Sequence, residues 1–93
     1  MKIQYSQHIE NRLLLRKLDY ELPKRIFDQS KERYIDEKTG HFIVIMKVEV
    51  YNKMREVMLA YKLEEDCAVL LTIHPLKEGQ KEKRIATGRW RKV

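Results

Sequence analysis

The chain has 93 residues, enough for one domain with a single core (residues 1–93) and too few for two. Its 20 Lys and Arg residues outnumber 14 Asp and Glu residues, so the net charge of +6 favours a polyanionic partner, nucleic acid first and an acidic protein second. Because Cys67 is the only cysteine and no apolar run reaches membrane-spanning length, we expect no disulfide, no cysteine-based zinc site, no membrane association and a cytoplasmic location.

The first predicted elements are a short edge strand and an amphipathic helix. Lys2 to Tyr5 permits the strand, Ser6 offers a hydroxyl as the N-cap, and Gln7 to Lys17 contains good helix formers. Two lines of apolar residues on this helix are expected to face the sheet: Ile9 with Leu13, and Leu14 with Leu18.

A cationic stripe is the most informative feature of this helix. His8, Arg12 and Arg16 recur every fourth residue and therefore share one face. Like charges at this spacing mildly destabilise a helix, and a phosphate-rich ligand is a common reason for placing them together. Arg12 and Arg16 are therefore candidate phosphate contacts, and His8 is a candidate for proton transfer. The alternative is a solvated face whose Arg stems cover the core edge, with His8 capping the helix.

A second helix is predicted from a cap at Asp19 to about Lys31, with Pro23 tolerated in its first turn. Strands follow at Tyr34 to Glu37 and at His41 to Tyr51. The turn between them ends in Gly40, which can supply a positive φ.

The long strand has one apolar face and one face that is at least half polar. Lys47 and Glu49 lie on the polar face, as a candidate phosphate contact and a second choice of base. His41 follows the turn and is interpreted as an exposed loop residue. The apolar face comprises Phe42, Val44, Met46, Val48 and Val50.

Two more strands, Arg55 to Lys62 and Cys67 to His74, follow through short turns, which predicts an antiparallel meander. Strict alternation in the last strand assigns Cys67, Val69, Leu71 and Ile73 to the core and Ala68, Leu70, Thr72 and His74 to the opposite face. His74 precedes Pro75 on that opposite face, where a neutral imidazole can exchange a proton near pH 7. The alternative is a histidine at the sheet margin without a chemical role.

The C-terminal segment from Lys77 onward is strongly basic, with a short helix expected between Gly79 and Gly88. Cations neutralise phosphates and an indole can stack on an unpaired base, so the segment suits single-stranded RNA or DNA. A solvated tail with Trp90 in the core is the alternative. No metal-ligand spacing, phosphate loop or nucleophile elbow occurs, so we expect no metal and no other cofactor. The candidate nucleic-acid contacts here are Lys83, Arg84, Arg89, Trp90 and Arg91.

The chain resembles the RelE/ParE-like toxin superfamily, with its barnase/EndoU/colicin/RelE-type fold, and in particular small uncharacterised domains of that group. The matching features are the H-x3-R-x3-R helix of His8, Arg12 and Arg16, and the late strand LLTIHP with Thr72. The resemblance implies an α+β fold, cleavage of RNA without a metal, and a protein antitoxin that masks the active face. The alternative target within this superfamily is gyrase, as in ParE-type members. The ending GRWRKV lacks the His-Tyr or Arg-Tyr pair of some RelE-type nucleases, so terminal tyrosine chemistry is not carried over.

These observations predict an α+β, RelE-like domain with two N-terminal helices on an antiparallel sheet of about four strands. The expected function is a metal-independent endoribonuclease toxin of a type II toxin–antitoxin pair, acting on RNA that includes ribosome-bound mRNA and masked by an acidic antitoxin-like protein. General acid/base chemistry would use His74 or His8. The alternatives are a non-catalytic nucleic-acid-binding domain and a module that binds an acidic protein.

Overall fold

Six strands form one mixed sheet, and three helices pack on its two faces. The computed structural model describes all 93 residues. The elements in chain order are β1 Lys2–Tyr5, α1 Gln7–Arg16, α2 Leu22–Gln29, β2 Glu32–Asp36, β3 Phe42–Val50, β4 Lys53–Glu64, β5 Cys67–Pro75, α3 Gln80–Ala86 and β6 Trp90–Lys92.

The strand order across the sheet is β1-β5-β4-β3-β2-β6. β1 runs parallel to β5, and every other neighbouring pair is antiparallel. The predicted fold is therefore wrong, because the sheet has six strands instead of about four, it is mixed, and not all helices are N-terminal. The short helix expected between Gly79 and Gly88 is present as α3. β6 escaped prediction because three residues are too few to show a period, and Trp90–Lys92 becomes a strand only by pairing with β2.

α1 and α2 cover one face of the sheet. Ser6 caps α1 by accepting a hydrogen bond from the Ile9 amide at 3.0 Å, as predicted. Leu14 is 79% exposed, so the expectation that it faces the sheet is wrong. α2 begins at Leu22 rather than at a cap on Asp19. The main core joins the two helices to strands β3, β4 and β5 and includes Ile9, Leu13, Leu22, Ile26, Val44, Val48, Val57, Leu59, Leu70 and Ile73.

A second, smaller core lies on the opposite face, beneath α3 and β6. It consists of Tyr34, Ile43, Ile45, Met58, Ala60 and Trp90. Lys81 holds α3 to the sheet, since its ammonium group lies 2.6 Å from a Glu56 carboxylate oxygen and 3.1 Å from one of Glu32. α3 therefore covers part of the sheet face that carries Lys47 and His74. Clefts lie beside α3 where this face stays open.

A register shift between Ala60 and Tyr61 changes which β5 residues face the helices. Ala68 and Leu70 are fully buried in the main core, so their assignment to the opposite face is wrong. Beyond the irregularity, Ile73 returns to the main core while Thr72 and His74 lie on the face beneath α3, as predicted. A single extra residue in the strand accounts for the change, because side chains alternate with a period of two.

Turns of the sheet contain residues with positive φ values. Gly40 has a φ of +77°, as its position between β2 and β3 predicts. Tyr51 and Asn52 form the two-residue turn between β3 and β4 with φ values of 54° and 62°. None of the three helices is long and apolar enough to cross a membrane.

Candidate functional site

His74 lies near the end of β5, where two clefts on the α3 side of the sheet meet. The larger cleft, which we call the open groove, has a volume of about 890 Å³ and runs from Arg16 past the β3–β4 turn to Gln80. The smaller, which we call the inner cavity, has a volume of about 220 Å³ and lies between the sheet, α3 and β6. His74 lines both, so its imidazole is accessible from either side.

The surroundings of His74 fix its tautomer and its charge. Nδ1 lies 3.1 Å from the Pro75 carbonyl oxygen, which can only accept a hydrogen bond, so Nδ1 carries the proton and Nε2 keeps its lone pair. Burial lowers the pKa of His74 below 6.5, and the charges of Arg16, Arg12 and Arg84 lower it further against the opposing hydrogen bond to Pro75. His74 is therefore neutral at pH 7 and can accept a proton at Nε2.

Arg16 has a buried side-chain nitrogen without a hydrogen-bond partner. Its side chain lines the open groove together with His74. The Arg16 Nε atom is buried and has no hydrogen-bond partner, while the Tyr51 hydroxyl donates to the Arg16 carbonyl and fixes the end of α1. A buried unpaired donor is costly in a folded protein, and no protein group offsets that cost at Arg16.

Of the stripe on α1, only Arg16 lines a cleft that contains His74, and Arg12 and His8 line neither cleft. Arg12 is near enough to His74 for its charge to lower the histidine pKa. His8 is exposed, and its Nε2 accepts a hydrogen bond of 3.3 Å from Arg12 Nε. His8 lines neither cleft. The two candidate histidines are therefore not brought into one cleft, and Arg12 lies between them.

α3 supplies cations on the other side of His74. Arg84 lines the inner cavity, and its guanidinium carbon lies 5.5 Å from the centre of the Trp90 ring. Lys77, Lys83, Arg84 and Arg89 line a third cleft, which we call the basic groove, of about 550 Å³. No carboxylate pairs with Lys83 or Arg84, so both remain available to a phosphate backbone.

Two predicted nucleic-acid contacts are engaged by carboxylates instead. Arg89 forms a bidentate contact with Asp36, with its Nη2 atom 3.2 Å from Oδ2 and its Nε atom 3.2 Å from Oδ1. Arg91 pairs with Glu37 at the surface. Burial alone would raise the pKa of Asp36, but the hydrogen bond from Arg89, aided by the Lys38 and Thr39 amides, lowers it. Arg89 and Arg91 thus attach β6 to β2.

Trp90 belongs to the second core and does not stand on the surface as an exposed platform for base stacking. Only 2% of its surface is exposed. Its ring stacks on Tyr34 at 6.1 Å, and Nε1 donates to the Asp36 carboxylate. The competing interpretation, with the indole tucked into the core, is the correct one.

The two candidates on β3 lie away from His74. Lys47 and Glu49 are both exposed, on the predicted face of the strand, and neither lines a cleft that contains His74. Glu49 lines a separate cavity beside Arg25. The structure therefore gives no support to Glu49 as a base acting with His74.

His41 was dismissed from the sequence, yet it lines the inner cavity together with His74. It is half-buried instead of exposed. The signal was present: extending the alternation of β3 back by one residue puts His41 on the same face as Ile43 and Ile45. Thr72 and Gln80 also line this cavity, and Gln80 lines the open groove as well.

No group of three or more His, Cys, Asp or Glu side chains is arranged to hold a metal ion. The arrangement that does occur is a neutral imidazole with a free Nε2, whose pKa is lowered by burial and further by the charges of Arg16, Arg12 and Arg84. Such a site can accept a proton and stabilise negative charge. No protein-family model, curated protein or solved structure matches this chain.

Proposed function

We propose that the protein is a metal-independent endoribonuclease in which His74 is the general base. The observation that carries the proposal is the position of the neutral His74 imidazole beside Arg16, whose buried Nε has no partner within the protein. A base that is neutral at pH 7 next to unpaired guanidiniums is the pair of groups that cleavage at a 2′-hydroxyl requires.

In the proposed reaction, Nε2 of His74 takes the proton of the 2′-hydroxyl while the 2′-oxygen attacks the adjacent phosphorus. Negative charge builds on the non-bridging phosphate oxygens, and the guanidiniums of Arg16 and Arg12 stabilise it. The bond from phosphorus to the 5′-oxygen breaks, and that oxygen takes a proton from water in the open groove. The products are a 2′,3′-cyclic phosphate and a free 5′-hydroxyl, and His74 returns its proton to solvent.

The substrate in this proposal is single-stranded RNA, including mRNA on the ribosome. The open and basic grooves share Lys77, Glu78 and Gln80. A flexible strand that runs from Arg16 to Lys83 past the imidazole would meet unpaired cations together with the carboxylates of Glu56, Glu78 and Glu82. The same unpaired cations suit an acidic protein as a second partner, in the manner of an antitoxin. The toxin role follows from the resemblance of the H-x3-R-x3-R helix.

The test is an RNA cleavage assay in EDTA with the wild type and the variants His74→Ala and Arg12→Ala. We expect His74→Ala to lower the rate by about 10²–10⁴, the usual contribution of a general base. Arg12→Ala should lower it by at least about tenfold because a charge that stabilises the transition state is removed. Arg25→Ala, an exposed arginine of α2 that lines a different cavity, is the matched control. Circular dichroism verifies that each variant is folded.

A non-catalytic nucleic-acid-binding domain is the second candidate. The observation that favours it is the basic groove, which offers unpaired Lys83 and Arg84 and has no histidine among its lining residues. If the wild-type protein binds RNA at every pH and cleaves it at none, the binding function replaces the enzyme.

A further inference from the structure

The inner cavity has the size and lining of a site for one flat ring system. Its volume of about 220 Å³ lies below the range of about 300–1,000 Å³ typical of drug-sized ligands. Its apolar lining comes from Ile43, Met58 and Ala60, and its polar lining includes Thr72, Gln80 and Arg84. A single-stranded base that leaves its stack needs both, an apolar surface for its face and polar groups for its edge.

Arg84 and Gln80 offer hydrogen-bond donors to a ligand in this cavity, and Nε2 of His74, which also lines it, is a free acceptor. Asp36 is already the acceptor for Arg89, for the Trp90 indole and for the Lys38 and Thr39 amides, so it has no capacity left for a ligand. The Gln80 side-chain oxygen accepts from the Lys77 amide at 3.0 Å, which orients the side chain, and its NH₂ group forms no hydrogen bond within the protein. Arg84 has no carboxylate partner and can only donate.

We propose that the inner cavity is a nucleobase subsite that prefers guanine over adenine. Guanine presents two adjacent acceptors, O6 and N7, which match a guanidinium and an amide NH₂. Adenine presents a single acceptor, N7, beside its N6 donor, so it cannot accept from both the Arg84 guanidinium and the Gln80 NH₂ group. The inference rests on the proposed function in one respect: the base in the cavity belongs to an RNA strand whose phosphate lies beside His74.

The test uses Trp90, the only tryptophan, as an intrinsic fluorescent probe, since its indole lines the cavity. Guanosine 5′-monophosphate and adenosine 5′-monophosphate are titrated separately. Their identical phosphates cancel in the ratio of affinities, and inorganic phosphate measures the contribution of the grooves. We expect the guanine nucleotide to bind at least about fivefold more tightly, the discrimination typical of one well-placed pair of hydrogen bonds.

Gln80→Glu is the diagnostic variant. A carboxylate keeps an acceptor for the Lys77 amide but replaces the donating NH₂ with a second acceptor, so the preference for guanine should disappear. Ala86→Glu adds the same charge to an exposed position at the end of α3, outside every cavity described, and should leave the preference unchanged.

Equal affinities for the two nucleotides, tighter binding of the adenine nucleotide, or an unchanged preference in Gln80→Glu would overturn the subsite. Cleavage of RNA without a guanine preference in the binding assay would remove the subsite and keep the ribonuclease. A guanine preference in a protein that never cleaves RNA would keep the subsite and remove the ribonuclease.

Discussion

For single residues, the sequence predicted on which face of β5 His74 lies. It predicted the positions of the surrounding side chains only in part. The period of a helix places Arg12 and Arg16 on one face, and the period of a strand places His74 opposite the core, so local geometry was enough for these three. The roles of Arg89 and Trp90 depend on Asp36, which is distant in sequence and becomes their partner only when β6 pairs with β2. No local pattern contains that information.

The lowered pKa of His74 predicts how cleavage depends on pH. Below that pKa the imidazole binds a proton and cannot act as a base, so kcat/KM should fall as the pH decreases through a value below 6.5. Arg16→Gln removes a positive charge that lowers the pKa, and we therefore expect the acidic limb of the profile to move to higher pH. Arg25→Gln should leave the limb in place. A limb that stays fixed or moves to lower pH in Arg16→Gln contradicts the assignment.

Asp36 is a carboxylate whose pairing stabilises the fold. It is 4% exposed, and Asp36→Asn leaves Arg89 without its charge partner, which should cost about 3 kcal/mol in the free energy of unfolding near neutral pH. Because the folded-state pKa is lowered below 3.8, this contribution is complete above that value and is lost as the pH falls through the folded-state pKa. Urea denaturation of the wild type and the variant from neutral to acidic pH measures the difference. Asp28→Asn, on the exposed surface of α2, should have little effect at any pH.

At the scale of secondary structure, the sequence was informative where elements are long and periodic. The faces of β3 and the cap of α1 were predicted correctly, since both depend on residues within one element. The faces of β5 were partly wrong, because the register shift opposite Ala60 and Tyr61 inserts a residue that alternation cannot anticipate. The sixth strand was missed because its pairing partner lies more than fifty residues earlier in the chain, as the register of Asp36 with Trp90 shows.

The register shift makes a prediction for two adjacent leucines. Leu70 is fully buried in the main core, so Leu70→Ala should lower the free energy of unfolding by about 2–5 kcal/mol. Leu71 is only half-buried, and Leu71→Ala should cost about 1 kcal/mol or less. Chemical denaturation of the two variants compares them directly. Uninterrupted alternation along β5 predicts the reverse order, and that result would show that the irregularity is misplaced.

In the molecule as a whole, some of the excess cations are paired with carboxylates and others are not. Several cations are already paired with carboxylates, among them Lys81, Arg89 and Arg91, which attach α3 and β6 to the sheet. The unpaired cations Arg12, Arg16 and Arg84 surround His74. The polyanionic partner that the net charge of +6 indicates stays a prediction, and only the folded structure separates the cations paired with carboxylates from the unpaired ones.

This division predicts the salt dependence of RNA binding. Each phosphate that a cation neutralises on a single strand contributes about −0.7 to the slope of log K against log salt concentration. Arg84→Gln should therefore make the slope less negative by about 0.7. Lys24→Gln, an equal loss of charge at an exposed position of α2, should leave the slope unchanged. Fluorescence anisotropy with a labelled single-stranded RNA at several salt concentrations provides the slopes, and equal slopes in the two variants would place Arg84 outside the interface.

The parallel pairing of β1 with β5 joins Lys2 to Cys67, so the first strand of the chain finds its place only after most of the polypeptide exists. The groups around His74 come from α1, β5 and α3, and α1 and α3 are separated by about as many residues as Lys2 and Cys67 are. A nascent polypeptide therefore carries no finished cleft until translation is nearly complete, and a protein cut between β3 and β4 would regain one only when its two fragments reassociate.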